Sequence, residues 1–181
     1  MTSPGLPMSP KALRLSAALY WATTAALAAL PVVIALPLWL SGPRALATAL
    51  PGLAVPASLP APLLAAGIAA GLLPALAVAY VLWQMRGLFD FYRRGASLGH
   101  GAARQIRRIG AGLLATAALA LAARTLQALA LTAANPPGER ILAFHIASSD
   151  VGFLLSGGLM LVIGAVMADA ARIAEDNAGF V

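Results

Sequence analysis

Four long apolar runs divide the chain, and proline, glycine or charge separates each from the next. The first covers Leu15–Leu40, the second Leu63–Met85 and the third Ile109–Ala134. The fourth opens between Ile141 and Ser149, taken here as residue 146, and ends at Asp169. A helix needs about 20 apolar residues to cross the hydrocarbon of a bilayer. Each run reaches that length. The pattern therefore predicts an all-α fold, an integral membrane four-helix bundle, as a single membrane domain over residues 1–181. Pro31 and Pro37 predict a kink near the first or an end of the regular helix near the second, and Pro74 predicts a bend in the second run.

The stretches between the runs differ in character. Residues 1–14, MTSPGLPMSPKALR, read as a short disordered lead into a helix. A secretory signal peptide is the competing reading, but its apolar core spans only about 7–15 residues. Ser41–Pro62 holds five prolines and one charge, Arg44, which suggests a compact cap on the outer surface. Residues 86–108 form a basic segment with Arg86, Arg93, Arg94, Arg104, Arg107 and Arg108. Within it, Leu88–Arg94 alternates bulky apolar groups with charge, as in an amphipathic helix lying in the headgroup region, and Gly95, Gly99 and Gly101 then break it. Asn135–Arg140, NPPGER, is a turn, because two prolines stop a helix and Gly138 permits the reversal. Residues 170–181 form a short tail.

Short loops rich in Lys and Arg stay cytoplasmic. Lys11 and Arg14 precede the first run, and the middle segment holds half of the chain's 12 Lys and Arg. The intervening loops carry only Arg44 and Arg140. This alternation predicts an N-in/C-in topology with a cytoplasmic basic segment between helices 2 and 3. The expected location is the bacterial cytoplasmic (inner) membrane, multi-pass.

Composition sharpens this. The chain is 61% hydrophobic and 10% charged, with a mean hydropathy of +0.87. A soluble domain carries about 25% charged residues. The net charge of +6 lies between apolar runs rather than on one soluble face, so anionic lipid headgroups explain it better than nucleic acid, and no direct nucleic-acid binding is expected. There are no cysteines, which excludes disulfides and thiolate chemistry.

Candidate chemistry is sparse. Arg124 and Gln127 are the polar pair expected deep in the bilayer, where an arginine costs about 2.5–3.5 kcal/mol on insertion scales. Arg124 needs a partner, and Asp150 is the candidate. If the fourth helix starts soon after Gly138, the two lie at similar depth, about 14–15 Å from the outer turn. Arg124, Gln127 and Asp150 are thus an expected intramembrane polar cluster, either a pair fixing helix register or a ligand or proton site. Gly67 and Gly71 form a GxxxG, and Gly152 and Gly157 lie on the fourth run; all four suit close helix packing, within the chain or across a homo-oligomer seam. His100 and His145 fall on opposite sides of the membrane. No HExxH, phosphate loop or nucleophile elbow occurs, so no catalytic residue, metal site or cofactor is expected.

Several motifs combine order and spacing. They are Arg86–Gly95, with an RGLF entry, Tyr92 and a basic pair, then RQIRRIGAGLL (Arg104–Leu114), NPPGER (Asn135–Arg140), SSD (Ser148–Asp150) and VMADAARIAEDNAGFV (Val166–Val181). Over roughly residues 80–181 the chain resembles DUF2975, a family of bacterial four-span membrane proteins of unknown function. The segment after Gly95, ASLGHG, departs from the family pattern, which has a bulkier residue and an Asn there. The resemblance implies four spans and points towards signalling, since family members resemble partners of small helix-turn-helix regulators. The functional expectation is a non-enzymatic regulatory or interaction protein whose basic patch meets anionic headgroups or a cytoplasmic protein partner. A small transporter or channel subunit built around Arg124 is the alternative.

Overall fold

The structure, a computed structural model, describes residues 9–41, 59–94, 100–136 and 146–178. They form four helices: α1 (Pro10–Ser41), α2 (Ala61–Arg93), α3 (His100–Thr132) and α4 (Ser148–Ala178). Each is long and apolar enough to cross a membrane. The outer cap expected over 42–58, the glycine break at 95–99 and the turn beyond Pro136 lie outside the described residues, as does His145.

Helix starts and stops depart from the apolar runs in informative ways. α1 begins at Pro10, so Lys11 and Arg14 sit on its first turns rather than in a disordered lead. Ser9 is the reason. Its hydroxyl accepts from the Ala12 N–H at 3.3 Å, and Pro10 supplies a preset φ at the first helical position. The helix then runs through Pro31 and Pro37 to Ser41, so it does not end near Pro37. Each proline removes one backbone bond, and the bonds on either side hold the helix together. α2 starts on Pro60 and Ala61 and continues without a break to Arg93. Leu88–Arg93 is therefore the last part of α2, not a separate helix lying flat in the headgroup region. Nothing between Met85 and Arg93 except Gly87 weakens the ladder, and the Arg94 N–H closes it on the Asp90 carbonyl.

Packing is serial. α1 lies on α2, α2 on α3 and α3 on α4, with little contact between other pairs. α3 holds the centre, contributing Ala102, Ala103, Ile106, Ile109, Ala117, Ala123, Ala128 and Leu131 to the buried core. Much of that core is alanine. In lipid no hydrophobic effect drives helices together, so small side chains that allow close approach supply the packing energy. Bulky groups point outward instead: Val32, Val33 and Trp39 on α1, and Leu154, Leu155, Leu159 and Val162 on α4, are exposed. α1 buries only Ser16, Tyr20 and Thr23.

The helices hold 31 to 33 residues each, about 50 Å, against a hydrocarbon thickness of about 30 Å. Contacts of Arg86 with Tyr20, Gln105 with Gln84 and Arg107 with Gly164 bring the start of α1, the end of α2, the start of α3 and the end of α4 to one end of the molecule. That end carries nine of the 12 Lys and Arg and four of the six acids.

Candidate functional site

Three polar arrangements are built along α3. The first joins α3 to the start of α4. An Arg124 Nη2 donates to Asp150 Oδ2, forming an ion pair whose carboxylate side chain is 6% exposed. α4 begins at Ser148, so Asp150 lies in its first turn and not deep along a helix that starts after Gly138. The same Oδ2 accepts from the Ala147 N–H at 2.8 Å, and the Asp150 N–H donates to the Ala147 carbonyl at 2.9 Å. Asp150 thus satisfies an orphan donor of the helix start and places negative charge at the positive end of the helix dipole. Its other oxygen, Oδ1, is buried and has no hydrogen-bond partner among the described residues.

Gln127 does not join that pair. It faces the other way, and its Nε2 donates to the Gly67 carbonyl of α2 at 3.1 Å. A Cβ on Gly71 would lie 2.6 Å from the same nitrogen, so the GxxxG of α2 makes room for a side chain of this chain's own α3. A matching arrangement occurs at the other end of α3. Gln105 Nε2 donates to the Gln84 carbonyl at 2.9 Å and to its side-chain oxygen at 2.7 Å. Here Gly87 provides the space, its absent Cβ falling 2.8 Å from Gln105 Nε2. Sequence reasoning passed over Gln84 and Gln105. The available signal was a Gln in α2 with a Gly three residues on, and a Gln in α3 near the start of an apolar run.

Between these clamps α3 and α4 cross at backbone contact. A Cβ on Gly110 would sit 2.8 Å from the Gly157 carbonyl, and one on Gly157 would sit 2.9 Å from the Gly110 carbonyl. Gly157 thus lies against the α3 backbone, whereas Gly152 has nothing within 4 Å. Further along, Gly164 lies under the stem of Arg107, whose Cγ would be 2.5 Å from an added Cβ.

The basic patch divides into three parts. Arg86 is turned onto α1: its Nη2 donates to the Tyr20 hydroxyl at 2.7 Å and its Nε to Thr24 Oγ1 at 3.1 Å. Its guanidinium also lies 5.0 Å from the Tyr20 ring centre. Arg93 and Arg94 share Asp90, at 2.6 Å and 2.7 Å, and Arg93 covers the Tyr20 ring at 4.1 Å. Arg104, Arg107 and Arg108 are exposed and form no ion pair among the described residues. They line a cleft of about 460 Å³ between α3 and α4, floored by Ala111, Leu161 and Ala168. The tail does not neutralise them through Asp169, which faces Arg172 of its own helix at 3.7 Å.

Four apolar helices with polar clamps between them and charge gathered at one end define a multi-pass helical membrane protein. Residues 15–179 match the DUF2975 family, described as "Protein of unknown function (DUF2975)", and the chain belongs to that family. The match reaches α1 and α2, beyond the residues 80–181 on which the motifs rest. No curated protein and no solved structure matches the chain.

Proposed function

We propose that the chain is a non-enzymatic regulatory or interaction protein of the bacterial cytoplasmic membrane, with both termini and the basic end in the cytoplasm. The charge bias supports this orientation, with nine cations and four acids at one end of the molecule. The observation that carries the functional reading is the trio Arg104, Arg107 and Arg108, without an ion pair among the described residues, on the same helix as Arg124. A cytoplasmic partner with an acidic surface would complete that charge, and α3 links it to the Arg124–Asp150 pair near the opposite end. The test is a photo-cross-linker placed at Arg94 or Arg104 in living cells. A soluble acidic partner is captured, and the adduct is lost when Arg93, Arg104, Arg107 and Arg108 become Gln. Adducts confined to lipid and to the chain itself would refute the reading.

A second reading is a transporter or channel subunit. One observation favours it: the buried Asp150 Oδ1 without a hydrogen-bond partner among the described residues, a place where a proton or small ligand gains a bond. Flux across proteoliposomes that is abolished by Asp150→Asn would promote it over the first.

A further inference from the structure

We infer that the cleft between α3 and α4 at the basic end is a binding site for the phosphate headgroup of an anionic phospholipid. This rests on the proposed function only in treating the basic end as a working surface.

Charge and spacing come first. Arg104, Arg107, Arg108 and Ala111 recur at i, i+3, i+4 and i+7, so three guanidinium groups and a small residue share one face of α3. None of the three arginines has an acidic partner among the described residues, and all three are exposed at the cleft. Guanidinium binds phosphate through paired, charge-assisted hydrogen bonds, and three such groups exceed what one phosphate charge neutralises. The chemistry fits a headgroup with one or two phosphodiesters.

The floor is apolar. Ala111 and Leu161 lie on the span side of the arginines and Ala168 closes the cleft on α4. A free phosphate has no use for that surface, whereas the glycerol and first methylenes of a lipid do.

Depth agrees. The glutamine clamps at Gln105 and Gln127 stand about 33 Å apart along α3 at 1.5 Å per residue, close to the thickness of the hydrocarbon. The exposed ring of Trp83 adjoins Gln84, the partner of Gln105. Exposed tryptophan marks the headgroup boundary. Arg104 therefore starts at the boundary, and Arg107 and Arg108 start within about one turn inside it, where a long side chain reaches outward to the lipid phosphates.

The site is also shaped. Because Gly164 has no side chain, the stem of Arg107 lies across the α4 backbone. That contact holds the middle arginine at the seam rather than leaving it to swing in water.

The experiment uses the purified full chain in an uncharged detergent, with native mass spectrometry and a thermal shift as readouts. The probes are phosphatidylglycerol, diphosphatidylglycerol, phosphatidylcholine and inorganic phosphate. Both anionic lipids are expected to bind and raise the melting temperature, and the other two probes not to. Arg104→Gln/Arg108→Gln, at exposed positions, weakens anionic lipid binding about 30-fold. Lys11→Gln/Arg14→Gln removes the same charge from α1 and leaves binding within about two-fold of the parent. Ala168→Glu puts a carboxylate into the floor and abolishes binding with every arginine retained. Equal loss in the two double variants, equal binding of phosphatidylcholine, or displacement of the lipid by matched inorganic phosphate would each overturn the assignment. Soluble-partner cross-linking can fail while lipid retention succeeds, so this inference and the proposed function fail separately.

Discussion

Breaking the Arg124–Asp150 pair from one side is predicted to cost far more than removing it whole. Asp150 is 6% exposed at its side chain and spends Oδ2 on both Arg124 and the Ala147 N–H. Arg124→Leu leaves a buried carboxylate whose second oxygen already has no partner among the described residues. Removing one member of a buried pair costs about 3–5 kcal/mol. Asp150→Leu takes the carboxylate from Arg124 and also the cap from α4, the cap alone being worth about 1 kcal/mol. In the double variant Arg124→Leu/Asp150→Leu neither charge of this pair is stranded, so most of the loss that either single change causes is recovered. With single losses of about 3–5 and 4–6 kcal/mol and a double loss of only about 1–2, the coupling between the two sites is about 5 kcal/mol or more. At about 2–4 °C per kcal/mol for a chain of this length, each single variant melts about 6–20 °C lower in detergent, and the double variant only a few degrees lower. The assay is fluorescence-detected thermal unfolding of the three variants and the parent, with membrane accumulation as a second readout. Additive losses in the double variant would refute the reasoning, because they would mean that neither charge depends on the other.

Other outcomes follow from the same geometry. Gly157→Ala and Gly110→Ala each lower stability by about 1–3 kcal/mol, because the obstructing atom is a backbone carbonyl that cannot move aside. Gly152→Ala, with nothing within 4 Å, raises it by about 0.5–1 kcal/mol in the same unfolding assay, unless a second copy packs there, which sedimentation would reveal. Arg86→Leu removes two charged hydrogen bonds between α2 and α1 and costs about 1.5–3 kcal/mol. Arg86→Lys restores only part of this, since an ammonium cannot serve both oxygens and stack on Tyr20; limited proteolysis of α1 follows the change. The chain has no cysteine, so single cysteines report cleanly. Ala134→Cys reacts with an impermeant thiol reagent in intact cells, and Arg94→Cys reacts only after permeabilisation.

Much of the architecture was legible in the sequence, and the reasons are local. Four apolar runs long enough to span hydrocarbon have few alternatives in a chain with so little charge, and the clustering of arginine between the second and third runs needs no tertiary information to be seen. Asp150 was legible as a partner for Arg124, but its setting was not. A capping aspartate and a mid-helix aspartate look alike until the helix start is known, and α4 starts later than the turn at Gly138 suggests. The cap at Ser9 and the passage of α1 through two prolines were likewise decided by backbone bonding rather than by hydropathy.

What the sequence determined by itself was therefore the number of spans, their order and the end at which charge gathers, because these depend on composition averaged over a helix. Only the tertiary structure decided how six similar arginines divide into an anchor on Tyr20, a pair on Asp90 and a trio lining the α3–α4 cleft. It alone set Gln127 on Gly67 instead of beside Asp150, and made Gly110, Gly157 and Gly164 contacts while leaving Gly152 open. The physical reason is rotation about the helix axis. Hydropathy in a membrane constrains length strongly and azimuth weakly, since lipid accepts any apolar face, and azimuth determines which side chain meets which.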